Sequence, residues 1–366
     1  MRSSTNGRPT TSEIPGPGQI REALAAKPAD GVESTAASRE VHLVIRPSGM
    51  PMADDFSLVW TTLPKVQDRQ VMVRNLFMSV DPYMRGRMND GASYIPAFAL
   101  GKALAGGAVG VVIESRAAGF EPGDVVTSNS GWREKSICWA DELHPVGSAM
   151  EPVSIHLGLL GMTGMTAWAG LKLLEVRPGE VVFISGAAGA VGNVAGQLAK
   201  QRGCRVIGCA GTDAKVAFLL KECGFDAAFN YRNGAIPEQL LAAAPRGIDV
   251  YFDNVGGGLL EHVLAAMSPH GRIIACGGIS TYNEPHPHPG PTNLFLMTTR
   301  RLTMKGFIVR DILDQRGIFE QEMRSSLASG RIRSHETVVK GIDRAVQAFI
   351  GLFSGDNVGK MIVDLR

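Results

Sequence analysis

The 366-residue sequence has little of what several kinds of protein depend on. Its five cysteines, Cys138, Cys204, Cys209, Cys223 and Cys276, are odd in number, widely spread and form no C-x-x-C pair. That pattern is not a disulfide framework, and a reducing cytoplasm is the expected setting. Charge of one sign is not in excess either: 37 Lys and Arg stand against 35 Asp and Glu, a net of +2. So even a balance leaves no electrostatic footprint for nucleic acid or an anionic membrane, and neither partner is expected. The first 38 residues contain no apolar run, so no secretory signal is expected. One long uncharged stretch, residues 181–199, is nearly membrane length. It carries Gly186, Gly189, Gly192 and Gly196 with Asn193 and Gln197, and so reads as strand, glycine turn and helix. No G-x-S-x-G elbow is present, and nothing points to a Ser or Cys nucleophile.

Glycine, by contrast, is abundant: 44 residues with no G-X-Y period. The glycines should mark turns and close backbone approaches. Residues 1–38, rich in Ser, Thr, Pro, Gly and Ala, cannot bury enough apolar surface to offset ordering entropy, and are expected to form a disordered tail. Their four acidic residues argue against a transit peptide. From 40 to about 162 the chain reads as strands and turns, with strands at 40–46, 71–80, 109–114 and 125–127 and a turn at 121–124. This predicts an antiparallel, barrel-like β domain. The pattern then changes. Strands at 181–185, 206–210, 227–231, 248–253, 272–276 and 303–309 alternate with helices at 192–201, 213–223, 237–243 and 258–267. Such alternation predicts βαβ units and an α/β, doubly wound parallel sheet. The chain ends in a helix near 312–328, a strand near 336–339, a helix near 344–353 and a strand at 360–363.

The strand at 181–185 leads into Gly186-Ala187-Ala188-Gly189-Ala190-Val191-Gly192, followed by a helix. Residues 187–192 fit A-x-G-x-x-G. Gly189 lets backbone approach a pyrophosphate, Gly192 lets the helix pack on the strand, and the helix N-terminus offers N–H groups to the phosphates. A tight turn with nothing bound is the plainer alternative. NAD enzymes place an acid at the end of the second strand. Here that strand ends in Ala210-Gly211-Thr212, and Asp213 falls past it, where it can cap the next helix. Lys215 follows and can meet a 2′-phosphate, which favours NADPH; an ordinary solvated helix lysine is the alternative.

Zinc ligands are not found where a zinc alcohol dehydrogenase would carry them. The stretches 77–82 and 100–103 supply none, and no four-cysteine cluster exists for a structural zinc. His286 and His288, among prolines, read as two exposed imidazoles on a loop. Without zinc, developing oxyanion charge must be met by hydroxyls or backbone donors.

Several motifs, in order, carry a family resemblance. They are residues 81–88 (DPYMRGRM), 161–167 (GMTGMTA), the phosphate loop, 229–231 (FNY), 252–257 (FDNVGG), 276–283 (CGGISTYN), 306–309 (GFIV) and 357–361 (NVGKM). From about Arg39 to its end the chain resembles the zinc-independent medium-chain dehydrogenase/reductases, in the leukotriene/prostaglandin reductase group with its alkenal double-bond and curcumin reductases. Thr163 stands where that group usually has Pro.

The resemblance implies a GroES-like β-barrel catalytic domain at 39–164, a Rossmann NADP-binding domain at 165–310, and a segment at 311–366 that returns to the catalytic domain. It implies a homodimer and an NADPH-dependent reductase of the double bond in α,β-unsaturated aldehydes and ketones. Carried over, Gly189, Ala190, Val191 and Gly192 hold the pyrophosphate, and Lys215 and Tyr231 meet the 2′-phosphate. Asn254, Cys276, Gly277, Gly278, Ile279, Ser280, Thr281, Tyr282, Phe307, Ile308, Val309 and Asn357 line the rest of the cofactor site. Hydride attack on an enone builds charge on its carbonyl oxygen, and a donor there lowers the barrier. Tyr282 is the first candidate, since a phenol with a pKa of ~10 stays protonated at neutral pH; Tyr83, from the catalytic-domain motif, is the second. For each, packing beside a turn is the alternative. The proline-rich loop 283–293 reads as a wall of the substrate mouth or as a surface connection. A quinone reductase of the same superfamily is the rival reading, and a non-catalytic NADPH-binding sensor or structural protein is the alternative of another class.

Overall fold

A computed structural model describes residues 37–147, 152–286 and 289–366. The expected tail lies outside the described residues, except that Ala37 and Ser38 already belong to the first strand. Contacts divide the chain into two compact units. One runs to Leu157 and takes back Thr337–Asp356 and Met361–Arg366; the other is Gly158–Glu336 with Asn357–Lys360.

The first unit is β-rich, as the turn-rich sequence suggests. Its strands are β1 (Ala37–Leu43), β2 (Phe56–Thr62), β3 (Gln70–Ser79), β4 (Lys102–Ala103), β5 (Ala108–Ser115), β6 (Val125–Ser128), β7 (Lys135–Trp139) and β8 (His144–Pro145). The ten-residue β3 is the spine. It pairs antiparallel with both β5 and β7, and eight of its residues are buried. A strand covered on both faces reads as a continuous apolar run, which is why it is legible in sequence. β2 and β7 were not expected. β2 lies at the edge of a three-stranded sheet and leaves Leu58 and Trp60 exposed; β7 is short and opens on Lys135. One core forms around Trp132 and Phe349, whose rings meet edge to face at 5.9 Å.

In the second unit β9 (Val181–Ile184), β10 (Arg205–Ala210), β11 (Ala227–Asn230), β12 (Ile248–Asp253), β13 (Met267–Ala275) and β14 (Thr303–Gly306) form one parallel sheet. Its order is β11-β10-β9-β12-β13-β14, the doubly wound dinucleotide-binding order. Phe183 at its centre stacks between Phe229 and Tyr251, at 5.9 and 5.4 Å. In the first unit, β15 (Glu336–Lys340) and β16 (Lys360–Asp364) complete the larger sheet beside β3.

The helices are α1 (Met84–Arg87), α2 (Met162–Leu173), α3 (Ala190–Gln201), α4 (Asp213–Lys221), α5 (Ile236–Ala243), α6 (Gly257–Ala266), α7 (Leu296–Thr299), α8 (Arg316–Ala328) and α9 (Ala345–Ser354). The sequence reading passed over α2 because eight of its twelve residues are buried, leaving no polar stripe and so no helical period to detect. Thr163 is the second residue of α2, in a first turn that also accommodates Pro. The strand expected at 303–309 stops at Gly306; Val309–Gln315 turns as a 3₁₀ helix. Among the described residues no helix is long and apolar enough to cross a membrane.

Candidate cofactor and active-site residues

All strands of the sheet in the second unit are parallel, so their carboxyl ends share one edge. Ligands of such folds bind there. The turn 185–189 follows β9, Gly211 follows β10, Tyr231 follows β11 and Asn254 follows β12. Residues 276–282 follow β13 and 307–309 follow β14. The sequence-predicted cofactor residues of this unit therefore gather at one edge of one sheet, with Asn357 joining them by another route.

Gly189 is the N-cap of α3, in extended conformation (φ −78°, ψ 178°) and with no side chain to cap the helix. The first helical bond runs from Asn193 N–H to the Gly189 carbonyl at 3.1 Å. The N–H groups of Ala190, Val191 and Gly192 consequently lack intrahelical acceptors and carry the positive end of the helix dipole. A Cβ on Gly192 would stand 2.5 Å from the Gly186 carbonyl oxygen and 2.7 Å from Ala187 Cα, so only glycine lets the helix seat on the turn. The C-terminal segment comes against the same turn. Gly359 N–H donates to the Ala188 carbonyl at 2.8 Å, and the buried Asn357 donates its amide to the Gly359 carbonyl at 2.7 Å.

Two residues that sequence reasoning did not single out hold the next part together. Asp253, buried at the end of β12, accepts at one oxygen the Ser185 hydroxyl (3.0 Å), the Tyr251 phenol (2.7 Å) and the N–H groups of Val255 and Gly256 (2.9 and 2.8 Å). Ser185 in turn accepts the Asn254 N–H at 2.9 Å, and Asn254 returns its amide to the Ser185 carbonyl at 2.8 Å. Asn254 is thus fixed to the start of the turn 185–189. The signal in the sequence is an acid closing the apolar run of β12. Burial, followed by Asp253, pushes the Tyr251 phenol well above its ordinary range and the Cys276 thiol up to about 12. Cys276 is therefore held as a neutral thiol rather than a nucleophile.

Residues 276–282 are stitched to β12 and its exit. Cys276 and Gly277 N–H donate to the Asp253 carbonyl (2.9 and 3.1 Å), Ile279 N–H to Asn254 and Ser280 N–H to Val255. The Thr281 hydroxyl returns to the Gly278 carbonyl at 2.9 Å. The half-buried Tyr282 accepts the Gly278 N–H on its phenol oxygen at 3.2 Å, which orients the hydroxyl. Phe307, Ile308 and Val309 are each half-buried.

At the other end of the sheet the expected helix cap is corrected. Thr212, not Asp213, is the N-cap of α4, and its side chain accepts the Lys215 N–H at 3.3 Å. Asp213 is the first helical residue, and its carboxylate takes the amides of Asn230 and Asn233 at 2.7 and 2.8 Å. Tyr231 lies over the end of β10 with its N–H on the Ala210 carbonyl at 3.2 Å.

His286 is exposed; His288 lies outside the described residues, so the expectation of two exposed imidazoles stands for one of them. A cavity of about 440 Å³ is lined by Gly257, Thr281 and described residues of the proline-rich loop.

In the first unit, most of the 81–88 motif is architecture. Met84 and Met88 are core. The buried Arg85 holds the Pro47 and Gly49 carbonyls at 3.1 and 3.0 Å. The buried Asp81 accepts the Ser79 hydroxyl. Tyr83 is half-buried, and its phenol is pushed above the ordinary range by burial and then by Asp81. It remains a neutral donor.

Two family models match the chain: "N-terminal domain of oxidoreductase" over residues 39–146 and "Zinc-binding dehydrogenase" over 190–327. Among the described residues no three His, Cys, Asp or Glu side chains are grouped so as to hold a metal ion. The chain is 41% identical over 327 residues to the NADP(+)-dependent 2-alkenal reductase of Nicotiana tabacum, covering 86% of this chain and 94% of that one. It is 37% identical over 327 residues to the NADPH-dependent curcumin reductase of Escherichia coli (strain K12), covering 88% and 95%. The crystal structure of CurA from Vibrio vulnificus in complex with NADPH superposes with a TM-score of 0.86 at 36% identity, over 90% of this chain and 99% of that one.

Proposed function

The chain belongs to the medium-chain dehydrogenase/reductase superfamily, among the alkenal, curcumin and prostaglandin reductases, and from that premise we propose that it is an NADPH-dependent reductase of the carbon–carbon double bond in α,β-unsaturated aldehydes and ketones. The observation that carries this reading is the 41% identity to a 2-alkenal reductase along 94% of that protein.

The residues fit a dinucleotide. The glycine-only approach of α3 to its turn makes a cradle of backbone donors, and the carboxyl edge of the sheet supplies the rest of the wall. In this reading Gly189, Ala190, Val191 and Gly192 hold the pyrophosphate. Lys215 and Tyr231 take the 2′-phosphate end. Asn254, residues 276–282, residues 307–309 and Asn357 line the remainder. Asp253 and Ser185 act at one remove, holding Asn254 to the turn.

When bound, NADPH supplies the hydride for the β-carbon of the substrate. The protein's task is the charge that then develops on the carbonyl oxygen. A phenol is suited to it, because it donates a hydrogen bond without carrying charge. Tyr282 is assigned this role; its phenol oxygen accepts the Gly278 N–H, which ties the ring to the 276–282 segment. Tyr83, half-buried and with its phenol kept protonated by burial and then by Asp81, is assigned as a second donor to substrate. The scheme uses no zinc.

A homodimer fits β14, the edge strand of its sheet, all four residues of which are solvent-exposed. An unpaired edge strand of that kind is a ready template for a second chain. A cytoplasmic setting fits the five cysteines, all free thiols.

The test follows NADPH absorbance with a medium-chain 2-alkenal, an aryl enone, curcumin and a simple quinone, each repeated with NADH. Turnover of enals or enones with NADPH supports the reading. Turnover of the quinone alone favours a quinone reductase, and binding without turnover favours a non-catalytic NADPH-binding protein.

A further inference from the structure

We infer that Arg232, acting with Tyr231 over Gly211, is a cofactor-specificity residue that recognises a 2′-phosphate and closes the place where a 2′-hydroxyl-selecting carboxylate would stand. The inference deepens the NADPH reading above and rests on it.

In dinucleotide sites that select a free ribose 2′-hydroxyl, an acidic side chain stands at the end of the second strand. In this chain that strand is β10, and the residue after its last, Ala210, is Gly211. The space beside Gly211 is already filled. The point a Cβ would occupy lies 2.7 Å from the Tyr231 hydroxyl, 3.2 Å from Tyr231 Cζ and 3.5 Å from Arg232 Nε. A carboxylate at 211 is excluded unless Tyr231 is displaced. What stands in its stead is a phenol and a guanidinium, groups that donate to a phosphate.

The guanidinium lies over the Tyr231 ring, its Cζ 5.8 Å from the centroid, and the turn that carries it is fixed by the Arg232 backbone N–H, which donates to Asn230 Oδ1 at 3.1 Å. Among the described residues no carboxylate pairs with it. Asp213, the acid at the start of the neighbouring helix, is bonded to the amides of Asn230 and Asn233 instead. Lys215 adds a second positive charge in the first turn of that helix. The two cations are not redundant. An ammonium is a point charge on a flexible stem, whereas a guanidinium presents a planar fork that matches phosphate oxygens two at a time. Arg232 therefore supplies directional recognition that Lys215 does not. Sequence reasoning passed it over because Arg232 sits in an exposed turn, where a basic residue is ordinary.

The test is calorimetric and needs no turnover. Adenosine 2′,5′-bisphosphate and adenosine 5′-monophosphate differ only in the 2′-phosphate. Each is titrated into the wild type, Arg232→Ala and Arg232→Lys, with thermal melting as the check on folding. Arg232→Ala is expected to lose about tenfold or more in affinity for the bisphosphate with monophosphate binding unchanged, and Arg232→Lys to recover part of the loss. A folded Arg232→Ala that keeps the wild-type preference overturns the inference, as does an equal loss for both ligands. A wild type without any preference for the bisphosphate overturns the NADPH reading itself.

Discussion

Gly192 sits so close to Gly186 that a Cβ on it would stand 2.5 Å from the Gly186 carbonyl oxygen. Neither partner can yield easily, since one is backbone at the helix start and the other is backbone in the turn. Gly192→Ala is expected to lift α3 away from the turn and cost ~1–3 kcal/mol of stability, the range for overpacking a tight contact. Because the displaced groups are the N–H donors of the proposed cradle, NADPH affinity should fall as well. A melting curve and an NADPH fluorescence titration of the variant check both.

Lys215 carries a separate expectation. In the proposed scheme its charge meets the 2′-phosphate, so Lys215→Ala should raise KM for NADPH by about tenfold while leaving KM for NADH near the wild-type value. Steady-state kinetics with the two cofactors decide it; parallel rises in both would remove the assignment.

His335 makes folding sensitive to pH. Its ring stands edge-on to Phe218 at 4.7 Å, and its buried Nε2 has no hydrogen-bond partner among the described residues. Burial lowers its pKa below 6.5, Glu222 opposes this and Arg333 adds to it. With the folded-state pKa below the unfolded one, the unfolded chain binds more protons, so stability rises with pH. The contribution is full above the unfolded pKa of about 6.5 and is lost as pH falls through and below that value. Urea midpoints measured from pH 5 to 8 should decline on the acid side, and His335→Phe should flatten that decline. An unchanged slope in the variant would assign the loss to other groups.

Tyr282→Phe separates binding from chemistry. Removing one hydroxyl leaves the wall of the cofactor site in place but deletes the proposed donor. An expected loss of ~10²-fold in kcat, with NADPH dissociation unchanged, is of the size general-acid groups supply. Unchanged kcat would refute the role.

How much of this was legible in the sequence depended on whether the signal was local. β12 was placed correctly at both ends because the buried run Val250–Phe252 lies between Ile248-Asp249 and the closing Asp253. The glycine turn between β9 and α3 was legible because its glycines, strand and helix are consecutive. α2 was not legible, since a helix buried on nearly every side shows no period. The bond from Ser185 to Asp253 joins residues 68 apart, and no window of sequence contains it. Arg232 is likewise ordinary until the space over Gly211 is seen to be full.

The central claim, hydride delivery to the β-carbon of a conjugated carbonyl, is tested most directly by isotope placement. Benzylideneacetone is turned over with NADPH deuterated at the transferring position, and the product is examined by NMR. The saturated ketone with deuterium on the β-carbon is the result this account requires. Deuterium on the carbonyl carbon of an allylic alcohol would mean that the enzyme reduces the carbonyl instead, and the claim would fall.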